Sequence, residues 1–169
     1  NAANSTVIID AVRTPIGKRG GGLSTMHPAE VLSQVQRALI DRTGVDATEV
    51  GQVVGGCVSQ VGEQAFNVTR TAWLAAGLPL TTAATTVDTQ CGSSQQATNL
   101  VSSLVGAGVI DLGVACGVES MSRIPIGSSG NKALGFGIPM PKSYFEQYEM
   151  TSQFEGAERI ADKWGITRA

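Results

Sequence analysis

Three cysteines, at positions 57, 91 and 116, are the candidate nucleophiles of this sequence. Cys57 and Cys116 each lie in an apolar run that predicts a β-strand, where a free thiol behaves as a small, inert hydrophobic side chain. Cys91 differs because its neighbours in residues 90–94 (QCGSS) are small and polar, and because they lie between a predicted strand and a predicted helix. Cys91 is therefore the residue that we expect to do chemistry.

A helix that begins near Cys91 would favour nucleophilic chemistry. The first backbone N–H groups of a helix have no intrahelical partner, and together with the helix dipole they favour a thiolate. The same groups can stabilise the oxyanion that forms when a thiolate attacks a carbonyl carbon. Gly92 leaves room for a substrate close to the backbone. An ordinary helix-capping turn has the same composition, so position alone leaves both interpretations open.

Several other reaction classes lack their motifs here. A cysteine phosphatase loop requires arginine where this chain has Ala97, and no G-x-S-x-G elbow of an α/β-hydrolase is present. Residues 135–140 (GFGIPM) lack the third glycine of a dinucleotide fingerprint, and residues 17–19 (GKR) lack the upstream glycine of a phosphate-binding loop. His27, the single histidine, precedes a proline near a predicted helix start, which favours a capping or surface role.

Composition excludes several classes of protein. The 169 residues are 42% apolar and 15% charged, with 21 glycines and a net charge of −2, which is typical of one α/β domain with tight turns. The electrostatic footprint of a nucleic-acid-binding protein is absent. No two cysteines form a C-x-x-C pair. Because the sequence has a single histidine, we do not expect a histidine-based metal site. We find no apolar run of about 18 residues and no signal-peptide pattern at the polar start, so we predict a cytoplasmic protein without a membrane span.

Strands and helices are predicted to alternate along the first 122 residues, which indicates a mostly parallel sheet covered by helices. After residue 122 the chain is rich in proline, glycine and serine and has no clear period, so we predict one domain over residues 1–122 and an incomplete loop domain over residues 123–169. The first predicted strand opens at residues 7–9 and ends at residues 13–15, and the others are 50–58, 83–87 and 112–118. The first predicted helix begins near residues 27–28 and is stopped by Gly44; the others are about 66–76, one that follows Cys91, and 154–163.

Five collinear motifs resemble the N-terminal half of the thiolase family of acyl-CoA acyltransferases. Together they extend over nearly the whole chain, and jointly they are highly specific. One departure is Ser94, where the family's loop usually carries glycine. The motifs are residues 12–17 (VRTPIG), 53–56 (VVGG), 88–97 (DTQCGSSQQA), 117–122 (GVESMS) and 157–168 (AERIADKWGITR).

The resemblance implies a two-step exchange through an acylated cysteine. Cys91 would attack a thioester substrate and hold the acyl group, its backbone N–H would form part of an oxyanion hole, and coenzyme A would be a substrate. The resemblance also implies cleavage of a 3-ketoacyl-CoA or condensation of acetyl-CoA, a homodimer or homotetramer, and a loop over residues 123–156 that contacts coenzyme A. No covalently bound cofactor and no metal are expected.

The family's remaining catalytic motifs, G-H-P, N-E-A-F and C-x-G-G, do not occur in this sequence. The resemblance therefore implies that the chain supplies the first half of a thiolase and the start of its inserted loop domain, and that it is inactive alone. The alternative interpretation is a non-catalytic thiolase-like half-module that binds a partner chain. The nucleophile loop around Cys91 favours the enzyme, because a degenerate copy need not retain Cys91 and its surroundings.

Overall fold

The computed structural model describes residues 5–130, 133, 135 and 137–168. These residues fall into two compact units that divide between Ser129 and Gly130. The change of composition after residue 122 thus lies within the first unit. The regular elements of that unit, in chain order, are α1 (Pro28–Thr43), β1 (Gln52–Gly56), α2 (Val68–Ala75), β2 (Ala83–Val87), α3 (Ser93–Gly106) and β3 (Gly113–Gly117), with single turns of 3-10 helix at Ala47–Glu49 and Gly62–Gln64.

The three strands form a parallel sheet in the order β2-β1-β3. Val53 in the central strand pairs with Ala84 of β2 and with Val114 of β3. Parallel pairing requires long crossover connections, and each connection here contains a helix, α2 in the first and α3 in the second. The predicted α/β fold, a parallel sheet covered by helices, is confirmed.

Helices cover both faces of the sheet. Successive residues of a strand point to opposite faces. Val53 joins Ile40 of α1 and Trp73 of α2 in one buried cluster, whereas Val54 packs with Val101 of α3 in another. One face is therefore covered by α1 and α2, and the other face by α3.

The ends of α1 follow from its sequence. His27 is the N-cap, and its Nδ1 accepts the N–H of Ala29 at 3.1 Å. The Glu30 carboxylate accepts the N–H of His27 at 3.3 Å, which completes a capping box. At the other end Gly44 takes the left-handed conformation (φ 67°) that stops a helix. The predicted capping role of His27 is confirmed.

The helix predicted to start at residue 66 begins instead at Val68. Phe66 and Asn67 both have positive φ, 54° and 58°, so neither can belong to the first helical turn. Asn67 is the N-cap: its Oδ1 accepts the N–H of Arg70 at 3.4 Å, and its Nδ2 donates to the carbonyl of Ala84 at 2.9 Å. The helix start is thus determined by a bond to β2 that no local periodicity reveals.

The strand predicted to open at residues 7–9 is not part of the sheet. These residues are exposed and have no regular secondary structure. Their segment is held to helices by side chains: Asp10 forms a bidentate ion pair with Arg42 of α1, with both contacts at 2.8 Å, and the hydroxyl of Thr6 donates to the carbonyl of Ser102 in α3 at 3.1 Å. The prediction is wrong in this structure because no neighbouring strand lies beside the segment to pair with its backbone.

The second unit contains α4 (Lys142–Gln147) and α5 (Gln153–Trp164). The helix predicted over residues 154–163 is confirmed, and Ser152 caps it by accepting the N–H of Glu155 at 3.1 Å. Arg159 joins Glu149 and Glu155 in an exposed ion-pair cluster. Within the described part of the chain, no helix is both long enough and apolar enough to cross a membrane.

We predict that Gly55→Ala destabilises the first unit. A Cβ at Gly55 would lie 2.8 Å from Cγ2 and 2.9 Å from Cβ of Thr69, whose side chain is buried on α2. Overpacking of this kind costs about 1–3 kcal/mol, which urea denaturation can measure. Gly22→Ala is the matched control, because its Cβ would meet nothing within 4 Å. Equal unfolding midpoints for the two variants would contradict the close packing of α2 on β1.

Candidate active site

Because all three strands are parallel, the three loops that follow them lie at the same end of the sheet, which we call its carboxyl edge. Residues 57–61 follow β1, residues 88–92 follow β2, and residues 118–122 follow β3. Open parallel sheets bind ligands outside the carboxyl ends of their strands. This edge is therefore the candidate active site, and it carries Cys91.

Cys91 lies in a tight turn between β2 and α3. The thiol-bearing residue is exposed, and Gly92, directly after it, is the N-cap of α3. Gln90, directly before it, has a positive φ of 53°. The N–H of Gln90 donates to Oδ1 of Asp88 at 2.7 Å, and this bond supports the unusual backbone conformation. The turn presents Cys91 to solvent at the head of the helix.

The N–H groups that follow Cys91 are used within the turn. Gly92 donates its N–H to the carbonyl of Thr89 at 3.1 Å, and Ser93 donates its N–H to the carbonyl of Gln90 at 3.0 Å. The Ser93 hydroxyl also donates to the Gln90 carbonyl, at 2.5 Å, and accepts the N–H of Thr89 at 3.1 Å. These two backbone N–H groups stabilise the turn, so they do not converge unpaired on the sulfur as the sequence alone led us to expect.

The first turn of α3 rests directly on the ends of β1 and β3. A Cβ at Gly56 would lie 2.5 Å from the carbonyl carbon of Ser93 and would overlap the backbone nitrogen of Ser94. A Cβ at Gly117 would overlap Oγ of Ser94. Gly56 is therefore needed for the helix to approach β1 this closely, and Gly117 leaves room for the Ser94 hydroxyl. The Ser94 hydroxyl, the departure from the family's glycine, packs beside Gly117.

The other two thiols are poor nucleophiles. Burial raises the pKa of Cys57 to about 12, and the nearby carboxylates of Glu119 and Asp88 add to the effect by repelling a thiolate. Burial also raises the pKa of Cys116 to about 11, although a weak hydrogen bond from Gln36 opposes the shift. Cys91 is the one exposed cysteine. The expectation that Cys57 and Cys116 are inert agrees with this geometry.

Glu119 and Gln64 fasten together the loops that follow β1 and β3. The Glu119 carboxylate accepts the N–H of Val58 at 2.8 Å, the N–H of Ser59 at 3.2 Å and Nε2 of Gln64 at 3.0 Å. Gln64 is fully buried, and its Oε1 accepts the N–H of Ser120 at 2.7 Å. A carboxylate that bridges two consecutive backbone N–H groups holds both loops in one arrangement.

The sequence alone identifies neither Gln64 nor the role of residues 119–123. The structure shows that this segment is anchored: Arg123 pairs with Glu63 through two contacts of 2.5 Å, and this ion pair lowers the pKa of Glu63. The signal available in the sequence was a carboxylate directly after a predicted strand. Gln64 carried no such signal, because its partners come from distant parts of the chain.

Among the residues that the structure describes, no group of three or more His, Cys, Asp or Glu side chains is arranged to hold a metal ion. His27 is used as a helix cap.

The model of the thiolase N-terminal domain matches residues 6–169 of this chain. The chain belongs to the thiolase family. Among similar proteins, steroid 3-ketoacyl-CoA thiolase FadA6 of Mycobacterium tuberculosis is 44% identical over 167 residues, a match that covers 95% of this chain and 41% of that protein. The β-ketoadipyl-CoA thiolase of Pseudomonas aeruginosa is 34% identical over 174 residues, covering 96% of this chain and 43% of that protein.

A crystal structure of the same family has the same fold. The acetyl-CoA acetyltransferase of Bacillus anthracis superposes with a TM-score of 0.79 at 34% identity, over 96% of this chain and 42% of that one. The thiolase chain described here therefore spans well under half the length of the relatives that it matches.

We predict that iodoacetamide alkylates Cys91 before Cys57 and Cys116 in the folded protein at pH 8. A thiol with a pKa of about 11, as at Cys116, is ionised to roughly one part in a thousand at that pH, and only the thiolate reacts. Peptide mapping over a time course measures the three rates. Cys91→Ser should abolish the fast reaction and Cys116→Ala should leave it unchanged. A map in which Cys91 is the slowest of the three would contradict the assignment.

Proposed function

We propose that Cys91 is the nucleophile of a thiolase reaction on acyl-CoA substrates. The observation that carries the proposal is the exposed thiol at the carboxyl edge of the parallel sheet, between a strained turn and the N-terminus of α3. Cys57 and Cys116 do not compete for this role, because burial raises the pKa of each well above neutrality. The names of the related proteins, which include 3-ketoacyl-CoA and acetyl-CoA enzymes, support this substrate class.

In the cleavage direction, the Cys91 thiolate attacks the 3-keto carbon of a 3-ketoacyl-CoA. The adjacent carbon–carbon bond breaks, and its electron pair leaves with the acetyl-CoA carbanion, which takes up a proton. The thiolate of a second coenzyme A then attacks the S-acyl carbonyl, so that a shortened acyl-CoA forms and Cys91 departs as a thiolate. In condensation the same steps run in reverse, with an acetyl-CoA carbanion as the acyl acceptor.

We propose that this chain contributes the backbone N–H of Cys91 to the oxyanion hole. The N–H groups of Gly92 and Ser93 already donate within the turn, to the carbonyls of Thr89 and Gln90. A donor on the nucleophilic residue moves with its sulfur and therefore stays close to the carbonyl oxygen that the sulfur attacks. Assembly as a homodimer or homotetramer and a cytoplasmic location remain predictions.

The proton transfers require groups that we assign to the rest of the protein. By resemblance, these are the histidine, cysteine and asparagine of the three motifs that this sequence lacks. The described residues at the carboxyl edge supply no histidine, since His27 caps α1. We therefore propose that this chain provides the nucleophile of a longer thiolase and has no turnover alone.

We predict that Cys91→Ser in the full-length protein lowers kcat for thiolysis of acetoacetyl-CoA by on the order of 10³-fold or more, as removal of a covalent nucleophile does. Loss of absorbance of the substrate enolate measures the rate. Cys116→Ala is the control and should retain activity. When the acyl group of the substrate is isotopically labelled and the acyl-enzyme is trapped by acid quench, the label should be found on the peptide that contains Cys91. An active Cys91→Ser variant would refute the assignment.

We also predict that the 169-residue chain alone has no measurable thiolase activity. General acid–base catalysis contributes about 10²–10⁴-fold per group, and two such groups are expected outside this chain. The same assay applies to purified chain whose intact mass has been verified. Thiolysis at the rate of the full-length enzyme would overturn the proposed division of the catalytic groups. Activity restored by a separately expressed partner chain would favour the half-module interpretation.

A further inference from the structure

One peptide group joins the backbone N–H of Cys91 to the carbonyl of Gln90. A peptide group is planar and almost always trans, so that its C=O and its N–H point in opposite directions. The described residues contain no cis peptide bond. A contact that fixes the direction of the Gln90 carbonyl therefore also fixes the direction of the Cys91 N–H, the group that we propose as an oxyanion donor.

Ser93 donates two hydrogen bonds to that carbonyl. Its hydroxyl donates to the Gln90 oxygen at 2.5 Å, and its backbone N–H donates to the same oxygen at 3.0 Å. The Ser93 Oγ also accepts the N–H of Thr89 at 3.1 Å. A hydroxyl has one proton and a carbonyl oxygen has none to donate, so the proton of Ser93 lies in the contact with Gln90. The Gln90 carbonyl is thus held by two donors of one residue.

The Ser93 side chain is itself held by packing. Ser93 is the first residue of α3, and it is 5% exposed. A Cβ at Gly56 of β1 would lie 2.9 Å from the Ser93 Cβ, so the serine lies directly against the central strand. A side chain that regular elements hold in this way gives its hydroxyl a defined position. The hydroxyl therefore orients the Gln90 carbonyl relative to the sheet.

The N–H of Gln90 is held separately, by Asp88. The Asp88 Oδ1 accepts this N–H at 2.7 Å. Gln90 has a φ of 53°, which is costly for a residue other than glycine and persists where the surroundings support it. Asp88 is exposed, whereas Ser93 is buried. Of the two side chains that hold Gln90, Ser93 is therefore the one that is shielded from water and that contacts the peptide group of Cys91.

Hydrogen bonds to the oxygen of a peptide group strengthen its N–H as a donor. Donors at the oxygen polarise the group, and linked hydrogen bonds reinforce one another in this way. When the Cys91 thiolate attacks a carbonyl carbon, the π electron pair of that carbonyl moves onto its oxygen. The negative charge on this oxygen is larger in the transition state than in the bound substrate. A stronger N–H donor therefore stabilises the transition state more than it stabilises the bound substrate.

We propose that Ser93 is a positioning residue of the thiolase reaction, whose hydroxyl directs and polarises the Cys91 N–H through the Gln90 carbonyl. This inference rests on the proposed function, in which Cys91 is the nucleophile and its N–H is an oxyanion donor. Ser93 acts through the intervening peptide group and contacts no substrate in this role. The proposal gives the Ser93 hydroxyl a part in catalysis that is distinct from capping the turn.

Ser93→Ala in the full-length protein tests the proposal, because it removes the hydroxyl and retains the N–H that bonds to Gln90. Removal of an oxyanion donor lowers the rate by about 10²–10³-fold, so weakening one should lower the rate of acyl-enzyme formation by less, about 10-fold. The rate is measured from the loss of acetoacetyl-CoA in a single turnover without free coenzyme A. The substrate concentration that gives the half-maximal rate should change little, because the donor acts mainly in the transition state.

Ser103→Ala is the matched control. The Ser103 hydroxyl also donates to a carbonyl of α3, that of Asn99 at 2.8 Å, but it lies far along the helix from the turn. This variant should form the acyl-enzyme at the wild-type rate. Equal rates for Ser93→Ala and the wild-type protein would overturn the proposal.

Alkylation of Cys91 by iodoacetamide separates the proposed role from a general loss of structure. This reaction displaces iodide from a saturated carbon and forms no oxyanion, so it does not need the N–H donor. We expect Ser93→Ala to be alkylated at Cys91 at the wild-type rate. An alkylation rate that falls as much as acyl-enzyme formation would overturn the proposal, because Ser93 would then maintain the sulfur or the fold. A Ser93→Ala protein that does not fold would overturn it for the same reason.

The infrared band of an isotopically labelled acetyl group on Cys91 provides a spectroscopic readout. A hydrogen bond to a thioester carbonyl lowers its stretching frequency, so the band should lie at higher frequency in Ser93→Ala than in the wild-type protein. Ser103→Ala should leave the band unchanged, and equal frequencies in all three proteins would overturn the proposal. Failure of the proposed function gives a different result: the wild-type protein would carry no acetyl group on Cys91, and Cys91→Ser would remain active.

Discussion

The contact between the first turn of α3 and the ends of β1 and β3 is the constraint on which the geometry of the site depends. Gly56 brings the backbone of β1 against the backbone of the helix, and Gly117 leaves room on β3 for the Ser94 hydroxyl. Cys91 is separated from that contact only by Gly92, the helix N-cap. The position of the sulfur is therefore set by packing of regular elements rather than by a free loop, which is how precise functional sites are held.

A second constraint keeps the same strand ends together and also affects the thiols. The Glu119 carboxylate binds two backbone N–H groups of the loop after β1 and the amide of Gln64. Its negative charge, with that of Asp88, disfavours ionisation of the neighbouring Cys57. At the carboxyl ends of the strands, the fold thus buries the uncharged thiol of Cys57 and exposes the thiol of Cys91. The cysteines are chemically identical, so the difference in reactivity that we expect between them arises from burial and from neighbouring charges.

Much of this architecture was predictable, because it depends on local signals. Three local signals predict elements that the structure contains. They are the apolar residues at helical spacing after Cys91 (α3), Gly44 at the end of α1, and the β-branched residues of β2, and each reflects interactions within a few residues. The start of α2 and the roles of Glu119 and Gln64 were not predictable in this way. Asn67 bonds to β2, and Gln64 bonds to Ser120, so both depend on contacts between distant segments. The apolar run that opens at residues 7–9 predicts a strand, but strand formation also requires a neighbouring strand, which composition does not specify.

The two outer strands of the sheet, β2 and β3, differ in whether side chains cover their free backbone edges. Along β2, side chains from the start of α2 cover the edge: Asn67 donates to the carbonyl of Ala84, and the Thr86 hydroxyl donates to Asn67 at 2.7 Å. No comparable side chain covers the outer edge of β3 among the described residues. Because β2 leads directly into the turn of Cys91, the covered edge is the one that supports the nucleophile. The turn can therefore hold its geometry while the opposite side of the sheet is open, since the bonds that position Cys91 are all made within residues 52–120.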